Sequence, residues 1–188
     1  YRARQIAAWI YNRGTTEFGH MTNLSKTLRE MLAERASILD LDVVQKKGAV
    51  GDTIKYLFGL QDGRRIESVL MREGKRRTLC ISSQVGCPLD CLFCATGRMG
   101  LIRNLTAAEI LDQLIKVRRV LTEDGEDLTN VVLMGMGEPL LNFDAVVRAI
   151  RLMNLDFGPA MGIRRITLST VGHVPGILKL SKEGLKVG

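Results

Sequence analysis

The segment CISSQVGCPLDCLFCATGRMG, residues 80–100, carries three cysteines in a C-x3-C-x2-C spacing, Cys87, Cys91 and Cys94, with Cys80 upstream. Four cysteines confined to residues 80–94 cannot staple distant parts of a chain, so metal binding or redox chemistry is their better use. Three thiolates at this spacing suit a 4Fe-4S cluster in which one iron lacks a protein ligand. The aromatic Phe93 just before Cys94 fits the same pattern. Two other uses stay open: a zinc site, and a cluster closed by Cys80 as fourth thiolate. Zinc prefers paired Cys and His ligands, and the only histidines, His20 and His173, are far away in sequence.

A vacant iron is open to a small molecule. If the amino and carboxylate end of S-adenosylmethionine occupies it, a reduced cluster can pass one electron to the sulfonium and break its bond to the ribose carbon. The resulting 5′-deoxyadenosyl radical is cofactor chemistry, for which a protein supplies geometry and exclusion of water. The stretch GMGEP supports a cosubstrate site: Gly135 and Gly137 permit close backbone approach to a ligand, and Glu138 can accept hydrogen bonds from an ammonium. A plain turn ended by Pro139 is the alternative account. Ser169 and Thr170 end a strand and could donate to a carboxylate or a ribose hydroxyl, or be ordinary strand residues.

The elements that must carry these residues alternate in type. A strand at TLCISS leads into the cysteine loop. Thr106 and Glu109 form a T-x-x-E capping box that opens a helix with Ile110, Leu114 and Val117 on one face. Strand NVVLM precedes GMGEP, a helix with Val146, Val147 and Ile150 starts at Asn142, and strand RRITLST precedes the helix-like VPGILKLSKEG. Strand, helix, strand, helix, strand predicts parallel βα units, whose ligands sit at the carboxyl ends of the strands. The cysteine loop, GMGEP and LSTVG each follow a strand, so they are expected to share one rim.

Upstream, Ile6, Trp9 and Ile10 before Gly14 predict a short helix, and Leu28, Met31 and Leu32 predict a second over about Ser25 to Ala36. The runs DVVQ, DTIKYLFGL and RRIESVLM read as strands of a connecting hairpin or small sheet. The fold class is therefore α/β, with residues 1–40 a helical element, 41–78 a β connector and 79–188 the βα portion.

Composition bounds the partners. With 188 residues, 46% hydrophobic and 25% charged, the chain can bury a sizeable core, and its apolar runs are too short to span a membrane. No secretory signal stands at the start, and the absence of an initiator methionine suggests an excerpt of something longer. Residues 1–78 hold 15 Lys and Arg against 9 Asp and Glu, so nearly all of the +7 net charge lies there. A basic front half suits a nucleic-acid partner, or simply a solvated surface.

CISSQVGCPLDCLFCATGRMGLIRNLTAAEI, NVVLMGMGEPLLN and RRITLSTVG together resemble the radical S-adenosylmethionine methylases that modify adenosine in RNA. YRARQIAAWIYNRG and MTNLSKTLREML resemble the N-terminal helical domain of that family, so the likeness covers essentially the whole chain. It implies a partial radical-SAM (β/α) barrel behind a small RNA-binding helical domain and a β connector. It implies Cys87, Cys91 and Cys94 as cluster ligands, Gly137, Glu138 and Ser169 as S-adenosylmethionine contacts, and Glu67 as proton acceptor. Cys80 matches the family cysteine that forms a transient disulfide to release product.

The implied activity is methylation of C2 of adenosine in 23S ribosomal RNA and at position 37 of transfer RNA, through a methyl-cysteine. The implied setting is a cytoplasmic monomer without membrane association, served by an electron donor such as flavodoxin. No cysteine follows Cys94, so the methyl-carrying cysteine of the family is not in this chain, and the chain alone is expected not to complete turnover. Two rivals remain: a C8-specific methylase of the same ribosomal adenosine that confers antibiotic resistance, and a non-catalytic iron–sulfur RNA-binding module.

Overall fold

A computed structural model describes residues 1–39, 41–49 and 51–188. The expected boundary at residue 40, and position 50 of the KKGAVGD turn, lie outside the described residues.

The two expected helices form at the front of the chain as α1 (Arg2–Arg13) and α2 (Lys26–Arg35). Gly14 closes α1 in a left-handed conformation, φ 62°, that a side chain would disfavour, and the Ser25 hydroxyl caps α2 by accepting from the Leu28 N–H. Neither helix is apolar enough to bury a residue fully. Ile6, Trp9, Ile10, Leu28 and Leu32 pack instead around Phe18, Met21 and Leu24, giving this element a small core of its own.

Strands β1 (Asp42–Lys47), β2 (Ile54–Gly59), β3 (Arg65–Glu73) and β4 (Arg76–Cys80) run antiparallel in succession. After β4 the chain makes a two-stranded ribbon, β5 (Gln84–Gly86) with β6 (Leu101–Asn104), that carries the cysteine loop between its strands. Helix α3 (Ala107–Glu123), strand β7 (Asn130–Leu133), helix α4 (Phe143–Asn154), strand β8 (Ile166–Leu168) and helix α5 (Val174–Leu180) complete the order. β7 lies parallel to β4, and β8 parallel to β7. The connector strands are not a separate sheet: the Gly74–Lys75 turn hands β3 directly to β4, so six strands form one sheet in the order β1-β2-β3-β4-β7-β8.

Alternation along the strands divides the sheet into two faces. Tyr56, Phe58, Ile66, Leu70, Leu79 and Val131 point to one face and meet α3 and α4, whose Ile110, Leu114, Val117, Val146 and Ile150 are fully or almost fully buried. Each such side chain contributes about 1.5–3 kcal/mol by leaving water. The α3 helix begins at the expected capping box, with Thr106 and Glu109 bonding each other reciprocally. On the opposite face the side chains are only partly buried or are exposed. Register places Lys55, Val69, Cys80, Val132 and Thr167 in one row across that face, with Glu67 on the neighbouring row. Among the described residues no helix is long and apolar enough to cross a membrane.

Candidate functional site

Parallel pairing aligns the carboxyl ends of β4, β7 and β8, and the loops that leave them enclose a cavity of about 560 Å³. Cys87, Cys91 and Cys94 form one wall; Gly137, Glu138 and Ser169 form the other. Six of the sequence-predicted site residues are thus brought together.

The cysteine wall hangs from the β5–β6 ribbon. The Cys87 N–H donates to the Gly100 carbonyl at 3.1 Å, and the Cys94 N–H donates to the Cys91 carbonyl at 2.9 Å. Gly86, at φ 76°, has no room for a side chain, because a Cβ there would run into the Gly100 carbonyl oxygen. Beyond these anchors the loop is exposed: Leu92 and Phe93 are 86% and 93% accessible. Among the described residues, no three of His, Cys, Asp and Glu converge to hold one metal ion. The three thiols border a shared space instead. Three thiols on one cavity wall are the donor set that an iron–sulfur cluster takes.

The opposite wall is held from behind. Glu138 is buried, 2% exposed, and its two carboxylate oxygens each accept a backbone N–H at 3.0 Å, from Leu140 and from Val171. Each oxygen keeps a further lone pair for a donor in the cavity. The two glycines border the cavity and also pack closely against the chain behind them. A Cβ on Gly135 would stand 2.7 Å from the Ile81 carbonyl, and one on Gly137, at φ 100°, would stand 2.5 Å from Gln84 Cβ. Their missing side chains admit the residues just after β4 and the start of β5. Thr170 also serves the backbone: its hydroxyl accepts from the Gly172 and His173 N–H groups, shaping the turn into α5.

Sequence reasoning missed the side chains that fix this wall. Gln113 of α3, wholly buried, accepts from the Ser68 hydroxyl at 2.7 Å and the Ser82 N–H at 2.8 Å, and donates to the Ser82 and Glu109 carbonyls. The Ser82 hydroxyl accepts from the Met136 N–H and donates to the Glu67 carbonyl. Gln84 accepts from the Glu138 N–H at 2.9 Å and donates to Asn104 at 2.7 Å. Asn142 donates to the Ser83 and Leu105 carbonyls, both at 2.8 Å. The available signals were the polar run SSQ directly after an apolar strand and a glutamine beside the apolar stripe of a helix. Arg103 of β6 completes the framing with bonds to Asp62 and to both oxygens of Glu109. Burial pushes the Glu109 carboxyl up, but Arg103 and Thr106 outweigh it and hold it below its ordinary value.

Glu67 and Cys80 do not border the cavity; they stand on the sheet face opposite the main core. Val69 pairs with Cys80, which sets Glu67 diagonally across from Cys80, about 7–8 Å away by ordinary strand spacing. Lys55 Nζ lies 2.8 Å from the Glu67 carboxylate, and the pair borders a shallow pocket with Gln45 and Lys47. Burial pushes the Cys80 thiol above its ordinary value, against a smaller opposing pull from the Met134 backbone N–H. All four cysteines are free, so the disulfide expected of Cys80 is not formed in this structure.

Comparison with known proteins adds an independent line. A family model described as the Radical SAM superfamily matches residues 81–187, and one described as the ribosomal RNA large subunit methyltransferase N-terminal domain matches residues 1–38. The probable dual-specificity RNA methyltransferase RlmN of Dictyoglomus thermophilum is 49% identical over 187 residues, covering 100% of this chain and 53% of that protein. The probable dual-specificity RNA methyltransferase RlmN 2 of Protochlamydia amoebophila is 47% identical over 188 residues, covering 100% and 52%. The crystal structure of a radical SAM methyltransferase from Sphaerobacter thermophilus superposes with a TM-score of 0.92 at 47% identity, covering 100% of this chain and 55% of the other. The chain spans about half the length of the curated relatives it matches.

Proposed function

This chain belongs to the Radical SAM superfamily, and from that premise we propose that it serves radical methylation of C2 of adenosine in 23S ribosomal RNA and at position 37 of transfer RNA. The observation that carries this reading is the single cavity with three thiols on one wall and a buried, backbone-anchored carboxylate on the other. Superfamily members use a 4Fe-4S cluster and S-adenosylmethionine, which together supply a one-electron cleavage that starts chemistry at an unreactive carbon.

In this reading Cys87, Cys91 and Cys94 hold the cluster as thiolates. Glu138 presents its remaining lone pairs to the cosubstrate ammonium, the Gly137 backbone and the Ser169 hydroxyl complete its cradle, and Leu133 and Val171 keep the cavity wall apolar. The cavity volume falls in the usual range for small-molecule sites, about 300–1,000 Å³. Glu67 takes a proton from the base, and the Lys55 ammonium 2.8 Å away holds its carboxylate in place. Cys80 acts by thiol exchange, and its raised pKa keeps it a neutral thiol until a base or partner draws off the proton. Residues 1–40 serve as the RNA-binding element, 41–78 as connector and 79–188 as barrel, in a cytoplasmic monomer that receives electrons from a flavodoxin-like donor.

Anaerobic reconstitution with iron and sulfide, followed by S-adenosylmethionine and dithionite, tests the reading. The expected product is 5′-deoxyadenosine; iron bound without cosubstrate cleavage would favour a binding module instead. With adenosine-containing RNA added, the chain alone is expected to yield no 2-methyladenosine, since no cysteine follows Cys94 to carry the methyl group. Mass spectrometry against 2-methyl and 8-methyl standards identifies the carbon attacked by any active longer form.

A further inference from the structure

We propose that Gln84 is a positioning residue that joins the two walls of the cavity, setting where the Gly137–Glu138 peptide stands relative to the cysteine hairpin. Gln84 does not border the cavity, and neither the relatives' names nor the matched family models give it a role. Its place rests on three observations. First, it is fully buried, and both ends of its amide are used: the oxygen accepts the Glu138 N–H at 2.9 Å and the nitrogen donates to Asn104 Oδ1 at 2.7 Å. Second, Asn104 ends the strand that returns from the cysteine loop, while Glu138 goes on to hold the Val171 N–H beyond β8. One string of hydrogen bonds therefore crosses the loops after β4, β7 and β8, which supply every wall of the cavity. Third, Gly137 has a φ of 100° and no space for a side chain because the Gln84 stem occupies that space at 2.5–2.8 Å. A glutamine is long enough to span the gap, and its planar amide offers one donor and one acceptor in fixed opposition, which no aliphatic residue of the same volume can do.

The consequence is specific to cosubstrate binding. The cysteines are held by their own ribbon, through the Cys87 N–H to Gly100 bond and the pairing of β5 with β6, so they do not depend on the Gln84 amide. Glu138 does, because its backbone N–H donates to the Gln84 side chain. Releasing that N–H lets the carboxylate shift relative to the thiols, which is the distance a molecule bridging both walls must match.

The proposal rests on the reading of this cavity as the S-adenosylmethionine site, and the test separates the two. The full chain, reconstituted anaerobically, is assayed for iron content, for S-adenosylmethionine affinity by calorimetry, and for amide hydrogen exchange at Glu138 and Val171. Gln84→Leu keeps the volume and removes both hydrogen bonds. It is expected to bind iron at the parent level, to exchange faster at both amides and to bind cosubstrate about tenfold more weakly, the loss expected for a buried hydrogen bond. Gln84→Glu keeps an acceptor for the Glu138 N–H, and Asn104 with its amide turned over can donate to it; affinity within about threefold of the parent is expected. Asn104→Ala, at an exposed position, severs the far end of the string and carries the test if Gln84→Leu fails to fold; a loss of about threefold is expected. Parent-level affinity in Gln84→Leu, or a Gln84→Glu variant no better than Gln84→Leu, overturns the proposal. If the parent itself binds no cosubstrate, the reading of the cavity has failed, and exchange at Glu138 decides alone: unchanged protection in Gln84→Leu overturns the positioning role.

Discussion

The two walls of the cavity are built on opposite plans. The GMGEP wall is clenched from behind by buried side chains, Gln113, Ser82, Gln84 and Asn142, whose polar groups are matched across elements far apart in sequence. The cysteine wall is a loop tied at its two ends and turned outward between them, with Leu92 and Phe93 in solvent. One wall has its geometry fixed by buried protein groups; the other leaves its three thiols bordering the cavity, where the proposed cluster would sit. On that proposal the difference assigns stability to one wall and metal chemistry to the other.

Substitutions should separate the two accordingly. Cys94→Ala is expected to abolish iron retention after reconstitution, measured by iron and sulfide content. The same change should shift the thermal midpoint of the iron-free chain by no more than about 2 °C, as for a surface substitution worth under ~0.5 kcal/mol. Gly135→Ala should do the reverse. Its Cβ would lie 2.7 Å from the Ile81 carbonyl carbon and oxygen, which are backbone atoms that cannot swing aside, so a loss of about 3 kcal/mol is expected in urea unfolding. A Cys94→Ala protein that unfolds as readily as Gly135→Ala would break the contrast between the walls.

What the sequence disclosed follows the same division. The C-x3-C-x2-C spacing is local, and local spacing was enough to name three residues that end on one wall. Strand and helix alternation was enough to foresee that the cysteine loop, GMGEP and LSTVG would meet, since parallel βα units put all their strand ends on one rim. The polar framework could not be foreseen in the same way: Gln113 pairs with Ser82 across 31 residues and Asn142 with Ser83 across 59, and no periodicity encodes such partners. The glycines of GMGEP were legible as residues facing a ligand space, but their close packing was not, because the atoms behind them belong to residues 81–84. Glu67 entered only through family resemblance; as a half-exposed strand carboxylate it has no sequence pattern of its own, and its link to Lys55 depends on β2–β3 register. The join between connector and barrel was also hidden, since the Gly74–Lys75 turn looks the same whether it ends a sheet or continues one.

Gln113→Leu sharpens the comparison from within the clenched wall. Leucine fills the volume but abandons the Ser68 hydroxyl and the Ser82 N–H and carbonyl in a place water does not reach. Leaving such groups unpaired costs about 1–3 kcal/mol, so a loss of about 2 kcal/mol is expected, smaller than that of Gly135→Ala because no backbone has to move. Iron uptake should remain at the parent level, checked on the same reconstituted samples.

The smallest effect concerns the two ends of β4, which are held by different chemistry. Its far end meets the neutral hydrogen bonds of Ser82 and Gln113, whereas its start is fixed by Arg77, which pairs with both oxygens of Glu126 at 2.6 and 2.9 Å while Arg72 adds a third contact at 3.2 Å. The Arg77 hydrogen bonds, helped by Arg72, draw the Glu126 carboxyl from 4.5 down to about 2. The folded chain therefore binds fewer protons than the unfolded one between these values, and the contribution of Glu126 is complete above about 4.5 and lost as pH falls through about 2. Urea unfolding at a series of acid pH values should show Glu126→Gln with a flatter decline across that window than the parent. Amide exchange should show, in the parent, the start of β4 opening at low pH while Ser82 stays protected. Equal loss of protection at both ends would mean that the strand is held as one unit and that its neutral and ionic anchors are not independent.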